Sequence, residues 1–489
     1  MDNSPHTPFF PAWRPRLAAA GQRVAAATRS VKGATLAGLE NRFGAVFPAQ
    51  LLDTPEGKRE RVYPLRRTFW CFLWQILNPS TSGREVVRQL QALLTLEGGP
   101  VISSEDGGYC TARQRLPETL FPQALLASAK AVQQAAPLAS PDVLQGRPCR
   151  VVDGTCVTMP DTMENRRAFP KTQATRDGIG FPMMRVVAFF CLTSGAILSA
   201  VTGNLCTSEL ALFQLMLPQL ARGDILIADR AYSLFVVLHL LDLAGADFIG
   251  RSARKVDGRK RIRRLGRNDW MVRWQRPTKR SALLDPEPWS LVASCRDVRI
   301  VRGSLWRPGF RVRQVTLVTT LLDVGQYPAD QLLQAYARRW RLELCFNDLK
   351  TTLKMEMLSC HSPKMIQKEF LLHLIAHNLV RLVAAQAARA HQADLERISF
   401  KGTLDALRQF CLALSRARSR RVRRRLWDEL LRTLVDDLVP LRLNRREPRA
   451  IKRQKNKYPR LNRPRHLFRD HPKRNVRRSR ARRRALLLN

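Results

Sequence analysis

The sequence predicts an α/β protein: a mixed-sheet core interrupted by a β-rich insertion, with helical N- and C-terminal regions. Three observations predict it. Between residues 150 and 243 the pattern runs strand, strand, strand, helix, strand, helix, the order of a layered α/β sheet. Residues 251–312 break that pattern, with Arg, Lys, Trp and Pro among short alternating runs. Helical periodicity then dominates on both sides of the sheet domain.

The elements follow in order. Residues 1–80 are punctuated by proline and support only short helices. Residues 84–96 set Val86, Val87, Leu90, Leu93 and Leu94 at helical spacing. After the turn at Gly107-Gly108-Tyr109, helices are expected at 111–116 and 120–132. Region 1–145 is therefore a helical DNA-binding or dimerisation region, built as a helix-turn-helix or as a plain packing unit. Residues 146–250 hold the first part of the core. Val151-Val152-Asp153 is a short strand, and 184–192 and 196–201 are strands around the turn Ser194-Gly195. A helix from Ser208 stops at Pro218 or Gly223, Ile225 to Ala228 form a buried strand ending in Asp229, and 234–243 is a helix. The insertion, 251–312, carries Trp270, Trp274, Trp289 and Trp306. Residues 313–395 complete the core with a strand at 314–322, a long helix from Pro328 to about 353, and another from Pro363 to about 392. Region 396–440 is helical, and 441–489 is a basic tail.

The charge selects the partner. A chain of 489 residues is too long for one compact core. It carries 84 Lys and Arg against 40 Asp and Glu, a net charge of +44, which an enzyme of small metabolites has no use for. Hydrophobic content of 45% excludes a wholly disordered basic protein. The tail supplies +18, with 20 Lys and Arg against Glu447 and Asp470, so the body is strongly basic too. A basic tail on a basic body points to nucleic acid rather than to a membrane surface. The N-terminal residues lack a charged segment followed by an apolar run, so no secretory leader is expected. The most apolar stretch, 370–388, is interrupted by His373, His377, Asn378 and Arg381 and reads as a buried helix, not a membrane span. Ten cysteines show no Cys-x-x-Cys and no zinc-finger spacing, the pattern of scattered reduced thiols. The expected location is the cytoplasm, at the nucleoid.

Candidate chemistry lies in the helix after Pro328. Tyr336, Arg339, Glu343 and Lys350 fall at offsets that share one stripe at about 100° per residue, where a helix normally sets Leu and Ile against the core. A solvated face with i,i+4 ion pairs is the ordinary account of such charges. It fits poorly here, because the opposite side (Arg341, Asp348) is charged as well. Asp153 and Asp229 each end an apolar strand, where ligands of open α/β sheets bind, although either alone would serve as a turn or cap residue. Three carboxylates suit two Mg²⁺ ions flanking an in-line phosphoryl displacement, and no His cluster competes for a softer metal.

These residues stand in motifs that resemble the bacterial DDE transposases of the insertion sequence 4 family. The first is Asp153-Gly154-Thr155, followed by Met159-Pro160-Asp161-Thr162 and the stretch Asn165 to Pro170. The second runs from Gly223-Asp224 to Asp229-Arg230-Ala231-Tyr232. The third is Tyr-x2-Arg-x3-Glu-x6-Lys, matched by Tyr336, Arg339, Glu343 and Lys350, with the insertion lying between second Asp and Glu. The resemblance implies a ribonuclease-H-like core in which Asp153, Asp229 and Glu343 are the metal-binding catalytic residues. It further implies Mg²⁺ as cofactor, with Mn²⁺ able to substitute, for nicking transposon ends and for attack of the freed 3′-OH on target DNA. Tyr336, Arg339, Lys350 and Arg230 would contact DNA, and pairing of two terminal inverted repeats implies a homodimer. Family members also stack a flipped base on an insertion-domain Trp, and none of the four here stands just before the last core strand.

Two other readings are distinguishable. A non-catalytic nucleic-acid binder, such as an inactive transposase copy, would keep the carboxylates for structure alone. A phosphatase of the haloacid-dehalogenase type is echoed by Val151 to Thr155, but it needs an Asp where Val151 stands.

Overall fold

The computed structural model describes residues 39–40, 42–53, 62–96, 98–137, 144–170, 180–252, 261–305, 313–417 and 419–440. The basic tail 441–489 and Trp306 lie outside the described residues.

A nine-stranded mixed sheet organises them. Strands β1 (Cys149–Thr158), β2 (Met183–Cys191) and β3 (Ile197–Asn204) form an antiparallel meander. On the other side of β1, β4 (Ile225–Ala228) runs parallel to it, and β5 (Asp247–Arg251) runs parallel to β4. Strands β6 (Arg261–Gly266), β7 (Asp269–Gln275), β8 (Cys295–Leu305) and β9 (Arg313–Thr319) are all antiparallel to their neighbours, and β9 joins β5. The order is β3-β2-β1-β4-β5-β9-β8-β7-β6. The β-rich segment expected as an insertion thus continues the core sheet through β9.

Alternate residues of the central strands feed two cores. Val151, Ile225, Ile227, Ile249 and Leu317 face one, while Val152, Leu226, Ala228, Phe248 and Val318 face the other. The first core is covered by helices α1 (Leu65–Leu77), α2 (Gly83–Leu96), α3 (Gly107–Arg115) and α4 (Leu120–Ala135) from the N-terminal region. The second is covered by α5 (Glu209–Gln214) and α6 (Phe235–Leu243). After β9 come α7 (Ala329–Arg338), α8 (Arg341–Asn347), a π-helical turn at Asp348–Thr352 and α9 (Pro363–Ala390). Helices α10 (Phe400–Arg416) and α11 (Arg420–Asp436) end the described chain and pack on α9.

Helix α9 is the one described helix long and apolar enough to cross a membrane, and it is buried within the fold. Its Asn378 explains how a polar residue sits there. The side chain accepts from Ile197 N and donates to Ile197 O, both at 2.9 Å, sealing the edge of β3, and also donates to Ser128 Oγ on α4. None of the ten cysteines, all among the described residues, forms a disulfide.

Three expectations need correction. Asp153 does not end its strand, because β1 runs on to Thr158 in the ladder with β2. The long helix after Pro328 is broken. Around Arg339 and Trp340 the amides of Arg339, Leu342 and Glu343 bond three residues back, which tightens the chain, and a π-turn follows. Strand β5 was not expected, and helix α1 is longer than the short helices expected within 1–80. β5 is short and holds Gly250, where a Cβ would lie 2.4 Å from the Phe248 ring. Nine of the 13 residues of α1 are buried, so its sequence shows no polar face to mark the period.

Candidate active site

Strand register brings the first two candidate carboxylates together. The parallel ladder ends with Val151 opposite Ile227; its register continued by two residues sets Asp153 level with Asp229, whose charge reaches it. Asp153 is therefore mid-strand towards β2 but lies past the end of the ladder towards β4. Asp229 opens a single 3₁₀ turn (Arg230–Tyr232), yet its side chain makes no capping hydrogen bond, so capping does not account for it.

Arg339 joins these carboxylates to the third. Its Nη1 lies 3.5 Å from Asp153 Oδ2 and its Nη2 lies 3.4 Å from Glu343 Oε1. The guanidinium carbon also sits 5.7 Å from the Tyr336 ring centroid. Burial works against the charge on Arg339, but Tyr336, Asp153, Asp229 and Glu343 around it outweigh burial and hold its pKa above the ordinary value. Tyr336 is buried, and burial raises its hydroxyl pKa. Asp153 takes the Gly154 N–H at 2.9 Å and keeps 26% of its side chain exposed. Burial nevertheless pushes its pKa up to about 6; Gly154 and Arg339 pull it down, and Glu209 and Asp229 push it further up.

The break in the helix serves this arrangement. It sets Arg339 and Tyr336 inward and leaves Glu343 at the rim, with 41% of its side chain exposed. Arg341, on the other side, donates to the carbonyls of Leu192 (2.9 Å) and Thr193 (3.0 Å) in the β2–β3 turn. Asp348 is pushed up to about 7 by burial, with Arg381 opposing. The charges that seemed to rule out a solvated face are thus structural partners of the fold. Lys350 sits half-buried on the π-turn and, among the described residues, shares no ion pair with the three carboxylates. Arg230 is exposed beside Asp229.

Sequence reasoning missed Glu209, at the first turn of α5. Its Oε1 accepts the Tyr232 hydroxyl at 2.7 Å. Its carboxyl lies over Gly154, where a Cβ would come within 2.4 Å of Cδ, so the glycine of Asp153-Gly154-Thr155 makes room for it. The signal was Tyr232 itself, 23 residues on, whose hydroxyl needs a partner once buried.

Among the tryptophans, Trp270 and Trp274 are buried in the second core, and Trp289 is half-buried with Arg276 at 5.7 Å. Among the described residues no group of three or more His, Cys, Asp or Glu lies close enough to hold a metal ion as arranged here.

Residues 144–379 match the family described as Transposase DDE domain, which marks the chain as an enzyme that acts on DNA. Over 409 residues the chain is 25% identical to Transposase InsG for insertion sequence element IS4 of Escherichia coli (strain K12), covering 82% of this chain and 88% of that protein. Both matches support a DDE transposase of the insertion sequence 4 family. A cryo-EM structure of the piggyBac transposase synaptic complex with hairpin DNA aligns over 80% of each chain at 10% identity and a TM-score of 0.35, too distant a likeness to bear on the fold.

Proposed function

We propose that this transposase cleaves the ends of its own element and joins the freed 3′-OH to target DNA, with Asp153, Asp229 and Glu343 as its metal-binding catalytic carboxylates. The observation that carries the reading is the convergence on Arg339: three motifs spread over 190 residues of sequence meet at one guanidinium. The meander of β1–β3 followed by parallel β4 and β5 supports a ribonuclease-H-like core.

In chemical type the donors suit a hard divalent cation, which would have to displace Arg339 from between Asp153 and Glu343. They are all carboxylate oxygens, they stand close enough for Asp229 to raise Asp153, and Glu343 is solvent-accessible at the rim. Asp153, Asp229 and Glu343 would hold Mg²⁺ or Mn²⁺, which would supply positive charge for an in-line phosphoryl displacement. The chain's own residues do the rest. Tyr336, Arg339, Lys350 and Arg230 contact phosphates near the scissile position, and the planar fork of Arg339 suits a phosphate as well as the carboxylates it now bridges. The partners are the terminal inverted repeats and target duplex, gathered by a homodimer in the bacterial cytoplasm.

The test uses a labelled duplex of the element's end with purified protein and Mg²⁺. Cleavage at the element boundary is expected, lost to background in Glu343→Gln and Asp229→Asn while end binding persists. Full cleavage by either variant refutes the assignment. Binding without cleavage by the unaltered protein, in Mg²⁺ and in Mn²⁺, selects the non-catalytic binder instead.

A further inference from the structure

Helix α11 is charged against its own dipole. Its first six residues, Arg420 to Arg425, hold five arginines, all exposed, and the sixth, Val422, is 47% exposed. The positive end of a helix dipole disfavours cations there. The pairs Arg420–Arg424, Arg421–Arg424 and Arg421–Arg425 add repulsion at i,i+3 and i,i+4 spacing. The acids stand towards the other end, at Asp428, Glu429, Asp436 and Asp437, again opposite to what the dipole favours. Little relief comes from within the fold. Arg423 Nε donates to Ala417 O at 3.0 Å, and Arg425 lies in the field of Glu429. Among the described residues, Arg420, Arg421 and Arg424 have no ion pair or hydrogen bond from their side chains. The helix is held by its C-terminal half, through buried Leu430, Leu431 and Leu434, so the arginine turn projects from the body.

We propose that this projecting turn is a sequence-independent docking surface for the phosphate backbone of duplex DNA, separate from the catalytic residues. An arrangement that costs the isolated fold free energy is relieved by an external polyanion, and guanidinium groups make bidentate bonds to phosphate. Arg420, Arg421, Arg424 and Arg425 fan over an arc of about 140°, matching a curved backbone rather than a point ligand. A membrane surface fits less well, since a helix that lies in lipid needs an apolar face and this turn offers Val422 alone. The inference rests on the reading of the chain as a DNA-acting transposase.

The test is binding of a short random-sequence duplex by the full chain in EDTA, across a salt series, with Arg420→Gln, Arg421→Gln and Arg424→Gln combined. The expected result is a log Kd against log salt slope shallower by about two to three, and binding about tenfold to a hundredfold weaker at physiological salt. The variant should melt no lower than the parent, because repulsion is removed. The corresponding triple Lys variant should keep the parent's slope. An unchanged slope in the Gln variant, while the parent binds, overturns the proposal and leaves the transposase reading intact. So does loss of phosphatidylserine-vesicle binding with DNA binding unaltered, which assigns the turn to a membrane. A parent chain that binds no duplex at all removes the DNA-acting reading itself.

Discussion

Replacing Asp153 by Asn should make the protein more stable at neutral pH while destroying its activity. The carboxyl ionises near 6 in the fold, against 3.8 in the unfolded chain. A folded value raised above the unfolded one contributes stability that is complete below about pH 4. That contribution fades as pH rises through about 6, where the buried group must ionise. Above that range the charge costs the fold about 3 kcal/mol, an upper figure because a quarter of the side chain still meets water. Asn keeps the acceptor for the Gly154 N–H, never ionises, and leaves Glu343 as the partner of Arg339. Thermal melts in EDTA from pH 4 to 8 should therefore coincide at the acid end and separate on passing pH 5 to 7. The variant should lead by a few degrees, the scale of about 1–3 kcal/mol in a chain of this size. A difference that is constant with pH, or a variant less stable at pH 8, would show that Asp153 carries no desolvated charge and would undo the argument from crowding.

Two further outcomes follow, one from a buried ion pair of the sheet and one from Gly154 beside Asp153. Arg299 is fully buried and binds Asp269 through Nε (2.9 Å) and Nη2 (2.6 Å) while donating from Nη1 to Tyr327 O at 2.7 Å, so Arg299→Met should cost about 3–5 kcal/mol in urea unfolding. A cost under about 1 kcal/mol would mean Asp269 is not left as a buried unpaired charge. Gly154→Ala should lower stability by about 1–2 kcal/mol by pushing Glu209 off Tyr232, and most of that loss should return when Glu209→Ala is added; two purely additive losses would dismiss the contact.

What the sequence made legible was whatever had a period or a spacing. The meander, β4, α6 and α9 are marked by runs whose length and flanking Gly or Pro separate strand from helix, and Gly195 and Gly223 occupy the positive-φ turns that end them. Helix α1 was illegible for the opposite reason: Phe69 to Leu73, with Trp74, are buried all round, and a helix with no polar face has no period to read. β5 hid because five residues with a glycine at the fourth look like a turn, although Gly250 is small so that Phe248 and Ser233 can close on it. The candidate residues themselves were readable by motif, but their meeting was not. It depends on the register of β1 against β4, a contact between strands 76 residues apart, for which local sequence carries no code.

The helix break shows why the third motif has its spacing. A straight helix would carry Tyr336, Arg339, Glu343 and Lys350 as one stripe, and its regularity would fix Arg339 at the height of its own turn. Tightening at Arg339–Trp340 instead lets one guanidinium reach Asp153 on β1 and Glu343 one turn on, at 3.5 and 3.4 Å, two acceptors on different elements. A lysine at 339 would offer a single point charge and could not span both, so Arg and Lys are not interchangeable there. The π-turn that follows interrupts the regular helix between Glu343 and Lys350, and among the described residues Lys350 shares no ion pair with the three carboxylates. What reads in sequence as a single polar face is, in the fold, a guanidinium held among the acids and a lysine on a separate, irregular turn.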